Sequence, residues 1–318
     1  MKEMTFRFTE ALKRLAFEHH DYCCSCLYKF EKGDTAHHGF DDIQTPLYVC
    51  DKCLYKLSEV VIRTYFTHRP YEVPESQNRL WRYMDFTKYM SLLSTGKMYF
   101  TRSDHFDDVF EGAKGYLSNK EKWDSHYYDF FRESIINPPN GNACPYSTEE
   151  VDRQAKELLA HLTENGAMDK KSTFISCWHE NEHESEAMWR LYSSFLPNAI
   201  AIKTSYERLY TSLGKNPEIM IGRVKYIDYR DSFSDINSSF WRKRKSFEHE
   251  KEVRAMMIDH KDSGVGKSVE CNLETLIEEV LISPTSPQWF YELVSDINKK
   301  FELNVPVKKS ELLELPFY

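Results

Sequence analysis

NRLWRYMDFTKYMSLLSTGKMYFTRS, residues 78–103, decides how the larger part of this chain folds. Its opening, NRLWRYMDF, reads as a strand. Thr87 to Thr95 reads as a short helix closed by Gly96, at the position where helices commonly end on a left-handed glycine. KMYFTRS reads as the next strand. So short a helix does not make a long parallel crossover between the two strands necessary.

Downstream, residues 117–170 read as a mostly helical, charged insertion whose clearest helix is EEVDRQAKELLAHL, with a loop at INPPNGN. Further strands are expected at TFISCW, AIAIKT, IGRVKYIDY, VRAMMID and EVLISP, and helices at SEAMWRLYSSF and PQWFYELVSDINKKF. No repeat, no low-complexity tract and no sequential βαβ series is visible. The expected class is α+β: a short-stranded mixed sheet with flanking helices. Upstream, the two prolines of THRPYEVPESQ (67–77) mark a break. This divides the chain into a module at 1–70 and an α+β domain at 71–318.

The N-terminal module carries the most specific spacing. Cys23-x-x-Cys26 and Cys50-x-x-Cys53 are two CxxC knuckles, each turning two sulfurs toward one point. Together they complete the tetrahedron of a structural zinc site in a zinc-ribbon or treble-clef layout. Cys24, His37 and His38 stand close enough to replace one ligand. Four thiolates close the coordination sphere, so the zinc is expected to scaffold and not to catalyse. TEALKRLAFEHH, ahead of it, reads as an amphipathic helix. Residues 1–70 are near neutral, so a protein partner or capping of the larger domain fits this module better than phosphate does.

The 318 residues carry a net charge of −8, with 41% hydrophobic and 29% charged residues, as in a soluble globular protein. Nucleic acid stays open as a partner, but net charge does not support it; Arg242–Lys245 is the best local basic patch. No 18-residue apolar run is present, and MKEMTFRFTE lacks the apolar core of a signal peptide. No membrane association and a cytoplasmic location are therefore expected. Eight cysteines then suggest metal before disulfides.

Four stretches could carry chemistry. Arg82 and Tyr83 stand on the opening strand, where a buried arginine needs a partner or a ligand. YFTRSDHFDDVFEG (99–112) packs Thr101, Arg102, Ser103, Asp104, His105, Asp107, Asp108 and Glu111 just past a strand end, as a capped turn or a cation site. In TFISCWHENEHESEAMWRLY, Ser176 lies on a strand and Trp178 at its end; Met188, Trp189 and Tyr192 form a helix face that reads as core. In KRKSFEHEKEVRAMM (243–257), strand alternation places Glu248, Glu250 and Glu252 on one face with Arg254, and Arg82 could reach them from another strand. An exposed, charged helix is the competing reading. Walker, GxGxxG, GxSxG and HExxH motifs are absent, which weakens kinase, NTPase, Rossmann, hydrolase and zincin readings.

In order, these motifs resemble a large bacterial family known as the domain of unknown function numbered two-nine-seven-one, over residues 79–303. The carriers are LWRYMD, FDDVFEG, SCWHENEHESEAMWRLY, AIAIKT, the pattern Phe247-x-x-Glu250-x-Glu252-x-Arg254, and EVLISP. The chain departs from the family at Asp107, where Asn is usual, at Val109, where Pro is frequent, and at Cys177 in the Ser-rich strand. The layout is also similar to that of ADP-ribosyltransferases, which place an Arg or His, a Ser or Thr, and a Glu on successive strands.

That resemblance implies Glu250, Glu252 and Ser176 as catalytic residues, with Ser176 orienting the glutamate. It implies Arg82, Tyr83, Tyr99, Thr101, Trp178 and Arg254 as binding residues, and NAD as substrate. Arg82 would clamp the pyrophosphate, and Tyr83 or Tyr99 would stack. The four residues Arg82, Ser176, Glu250 and Glu252 are expected to converge in one cleft. Three functions stay open: an NAD-consuming ADP-ribosyltransferase-like enzyme of toxin or anti-phage type, a non-catalytic nucleotide or protein sensor, and a metal-dependent nuclease using the acidic clusters.

Overall fold

The structure, a computed structural model, describes residues 4–7, 22–23, 26–31, 34–40, 46–56, 71–137, 144–192, 197–216, 218–235, 238–262 and 264–318. The expected helix over TEALKRLAFEHH, the residue Cys24, the run from 57 to 70 and most of the INPPNGN loop lie outside the described residues, as does the His38 side chain. The chain divides into two compact units. One comprises Met1–Pro70, Leu117–Glu164 and Asn216–Glu218; the other comprises Tyr71–Tyr116, Asn165–Lys215 and Ile219–Tyr318.

In the first unit, strands β1 (Met4–Arg7), β2 (Thr35–Phe40) and β3 (Pro46–Cys50) form an antiparallel sheet in that order. A first knuckle forms where Leu27 takes a left-handed φ of 59°, with the Leu27 N–H donating to the Cys23 carbonyl at 2.9 Å. The second begins at Cys50, on the end of β3, and continues into the 3-10 turn Asp51–Lys56 that carries Cys53. Cys23, Cys50 and Cys53 are buried with Phe30, Ala36, Tyr48 and Val49.

The second unit is built on a nine-stranded sheet. Its strands are β4 (Arg79–Asp85), β5 (Lys97–Arg102), β6 (Thr173–Glu180), β7 (Ala199–Ser205), β8 (Met220–Arg223), β11 (Glu252–Ile258), β12 (Gly266–Glu270), β13 (Glu279–Ile282) and β14 (Val307–Lys309). Two short strands, β9 (Lys225–Ile227) and β10 (Arg242–Arg244), pair separately. All pairings in the large sheet are antiparallel except β13 with β14. The fold is α+β.

Helix α1 (Phe86–Thr95) begins where the Asp85 carboxylate caps the Lys88 N–H at 2.9 Å and ends at Gly96, φ 63°. It buries Tyr89, Leu92 and Leu93. The Tyr89 hydroxyl reaches Asn298 at 2.7 Å, on the helix Gln288–Lys300.

β6 is the strand that makes the site. β11 runs along one edge of it from Thr173 to His179. The other edge is shared: β5 pairs with Phe174 and Ile175, and β4 pairs with His179 and Glu180. Between those pairings β4 and β5 part, leaving a fork at Ser176, Cys177 and Trp178. A strand gives each residue two edges and two faces, so the fork opens backbone and side chains of β6 to whatever fills the gap.

The expected strand over 243–257 is corrected. Lys245–Glu250 is a 3-10 turn, Lys251 takes a left-handed φ of 39°, and extended structure resumes only at Glu252. Glu248 therefore does not share a strand face with Glu252. IGRVKYIDY divides into β8 and β9.

Candidate active site at the strand fork

The fork opens into a cleft of about 470 Å³ lined by Arg82, Tyr99, Ser176–His179, Tyr192, Glu250 and Glu252, among others. All four residues expected to converge line it, but from opposite faces of the sheet. Opposed residues in antiparallel strands point to the same side. The pairings Glu252↔His179 and Arg254↔Cys177 put Glu252, Arg254, Cys177 and His179 on one face. Val253↔Trp178 and Ala255↔Ser176 put Trp178 and Ser176 on the other. Arg82 follows Trp81, which opposes His179, so Arg82 lies on the Ser176 face.

Two expectations are corrected by this register. Ser176 lies on the face away from Glu252, and Cys177 is the β6 residue between Ser176 and Trp178 that shares the Glu252 face. Arg82 does not reach the glutamates. Its guanidinium lies 5.6 Å over the Trp178 ring and donates to the Tyr99 carbonyl at 3.2 Å. Among the described residues no carboxylate pairs with Arg82. A cation without an anion beside a cleft leaves charge that an anionic ligand could meet. Three buried polar atoms of the cleft-lining stretch Ser176–His179 lack partners: Ser176 Oγ, Trp178 Nε1 and His179 Nε2. Buried polar groups are satisfied in nearly all folded proteins, so three orphans in one cleft point to a ligand.

The opposite face is anionic. The Glu252 oxygens accept Arg254 Nε at 2.6 Å, Arg254 Nη2 at 3.2 Å and Lys243 Nζ at 3.3 Å. Burial opposes the Glu252 charge, but Arg254 and then Lys243 outweigh it and hold the carboxyl at about 2. Lys243 also donates to Glu250, whose other oxygen accepts the Tyr192 hydroxyl at 3.2 Å.

Arg254 is fully buried and does not line the cleft, contrary to the binding role expected of it. It is shared among Glu252, the Phe240 carbonyl at 2.6 Å and both oxygens of Glu111. Glu111 and Lys243 were not separated by sequence reading from an acidic turn and a basic run. The fold shows that Lys243 meets the glutamate pair directly, and that Glu111 reaches it only through Arg254.

Tyr83 is buried against Trp189, with centroids 5.0 Å apart, and its hydroxyl accepts the Ser185 N–H at 2.8 Å. It packs there and also lines the cleft. Tyr99 is 45% exposed on the cleft rim. Its ring lies across Gly266, where an added Cβ would stand 2.0 Å from Tyr99 Oη. Thr101 lines the same cleft. Met188 and Trp189 are buried as expected, while Tyr192 of their helix turns to Glu250.

The acidic turn is not arranged for a cation. Arg244 holds Asp108 at 2.7 Å and Arg254 holds Glu111. Among the described residues, the one group of side chains able to converge on a metal ion is Cys23, Cys26, Cys50 and Cys53, whose sulfurs lie within 4.8 Å of one another. Cys26 Sγ and Cys50 Sγ are 3.7 Å apart. A tetrahedron with metal–sulfur bonds of about 2.3 Å has edges of about 3.8 Å, so the four thiols fit zinc. His37 is not among them; its Nε2 lies 2.7 Å from Asp51. No helix among the described residues is long and apolar enough to cross a membrane.

No family model matches the chain, and no curated protein matches it. The resemblance to family two-nine-seven-one therefore stands on motif order alone. Among solved structures, the chain is similar to DarT of Thermus sp. 2.9 in complex with ADP-ribosylated ssDNA. There the identity is 12% and the TM-score 0.33, over 76% of this chain and 96% of that one. The same protein in complex with NAD+ gives 11% and 0.33, over 75% and 98%. Likeness at that level carries no weight for the function of this chain.

Proposed function

We propose that the cleft binds NAD and that the protein is an ADP-ribosyltransferase-like, NAD-consuming enzyme, an effector of toxin or anti-phage type. One observation carries this reading: the cleft is two-sided. A guanidinium with no carboxylate partner (Arg82) and two unpartnered polar groups (Ser176 Oγ, Trp178 Nε1) line one face of the fork, and a pair of glutamates lines the other. A ligand suited to it is anionic at one end and develops positive charge at the other. NAD meets both demands. Its diphosphate suits a guanidinium fork, and its ribosyl carbon becomes cationic as the bond to nicotinamide breaks. Tyr99 offers a flat surface at the rim for a ring to stack on.

In the reaction the C1′–nitrogen bond breaks and its electron pair returns to the ring nitrogen, so nicotinamide leaves neutral. An acceptor nucleophile forms the new bond to C1′ and gives up a proton to solvent. A glutamate carboxylate accepts the ribose 2′-hydroxyl and stabilises the oxocarbenium charge. The zinc module supplies a docking element for a protein partner and takes no part in the chemistry.

The test is nicotinamide release from NAD in a lysate of the natural host. Wild-type protein releases it and Glu250→Gln/Glu252→Gln does not. Tight NAD binding with equal background release by both would replace the enzyme with a nucleotide sensor.

A further inference from the structure

We infer that Glu250, not Glu252, is the carboxylate that meets the substrate, and that Lys243 is its positioning residue. This rests on the NAD-consuming reading and names the parts of that same site.

Glu252 is already committed. Two nitrogens of Arg254 and the Lys243 ammonium occupy its oxygens, and 4% of its side chain is exposed. Turning it toward a ligand would take from Arg254, which has no exposed surface, one of its two carboxylate partners and leave it Glu111 alone. Removing one partner of a buried ion pair is costly because the other charge is left bare.

Glu250 is different. One oxygen takes Lys243; the other accepts only the Tyr192 hydroxyl, at 3.2 Å. A ribose hydroxyl can replace that tyrosine while Lys243 keeps its hold. The main chain is fixed as well, since the Glu250 carbonyl lies 2.6 Å from His179 Nδ1. Charge agrees: Glu111, Glu250 and Glu252 face Arg254 and Lys243 in one network, three anions to two cations. The surplus anion is available to a developing cation at C1′. Lys243 is 8% exposed and packs its ammonium 4.8 Å from the Phe247 ring centroid, so it is held in place.

The experiment measures kcat and KM for nicotinamide release from NAD, together with melting temperature, for Glu250→Gln, Glu252→Gln, Lys243→Met and Lys243→Arg. The expected pattern has four parts. Glu250→Gln stays folded, with a smaller fall in melting temperature than Glu252→Gln because Lys243 keeps Glu252, and loses kcat about a hundredfold or more. Glu252→Gln lowers the melting temperature. Lys243→Met lowers kcat with KM nearly unchanged, and Lys243→Arg restores part of it. If folded Glu252→Gln loses kcat while Glu250→Gln keeps it, the assignment is overturned and the NAD reading survives. Equal kcat in Lys243→Met and wild type overturns the positioning role. If wild type releases no more nicotinamide than every variant does, the NAD reading itself fails.

Discussion

Arg254 grips both oxygens of Glu111, in a pair with 0% and 1% of side-chain surface exposed. This pair joins the turn after β5 to the strand bearing Glu252. Glu111→Gln leaves a buried guanidinium short of an anion and should cost about 3–5 kcal/mol of stability. Chemical denaturation of the second unit checks it; a loss below about 1 kcal/mol would show that the pair is not structural.

Acid should act through Glu252. Its carboxyl is held at about 2 against an ordinary 4.5. A carboxyl depressed by folding contributes stability that is present above its unfolded pKa and lost as pH falls toward the folded one. Wild-type protein should therefore lose melting temperature more steeply than Glu252→Gln between pH 4.5 and about 2. Parallel curves would remove Glu252 from the account.

Arg82 should contribute binding and little stability. Arg82→Ala should weaken NAD binding about tenfold to a hundredfold, the range for losing a charged hydrogen-bond donor. Calorimetric titration with NAD measures it, and unchanged affinity would leave Arg82 without a ligand.

Tyr99 should act as a platform. Tyr99→Ala should weaken binding by about 1–3 kcal/mol, as for loss of a base-stacking ring, while Tyr99→Phe should not. Gly266→Ala places a Cβ 2.0 Å from Tyr99 Oη and 2.8 Å from the Phe100 carbonyl. It should displace the ring and lower stability as well. Equal affinity in all three variants would show that the ring does not stack.

The parts legible in the sequence are those set by local rules. The strand–helix–strand opening follows from two strand-like runs and a short helix closed by a terminal glycine. The CxxC pairs follow from spacing. The site was legible as a set of residues and not as an arrangement. Alternation says that neighbours in a strand face apart, but not which strand supplies the partner, so it did not show that Cys177 and not Ser176 shares the Glu252 face. The glutamate run was read as one strand because Lys251, a non-glycine residue in a left-handed turn, leaves no sequence signal. Arg254 looked like a ligand-binding cation because Glu111, its partner, lies 143 residues away.

Zinc is checked by metal content. One zinc per chain is expected, lost on Cys26→Ser or Cys53→Ser, with unfolding confined to the first unit. A chelator that abolished NAD turnover without unfolding that unit would contradict its scaffolding role.

The most direct measurement is a crystal structure with a non-hydrolysable NAD analogue. The account predicts the analogue in the strand fork, with its diphosphate on Arg82 and its nicotinamide-side ribose hydroxyls on Glu250. An analogue bound elsewhere, or in the fork with its diphosphate against the glutamates, would contradict it.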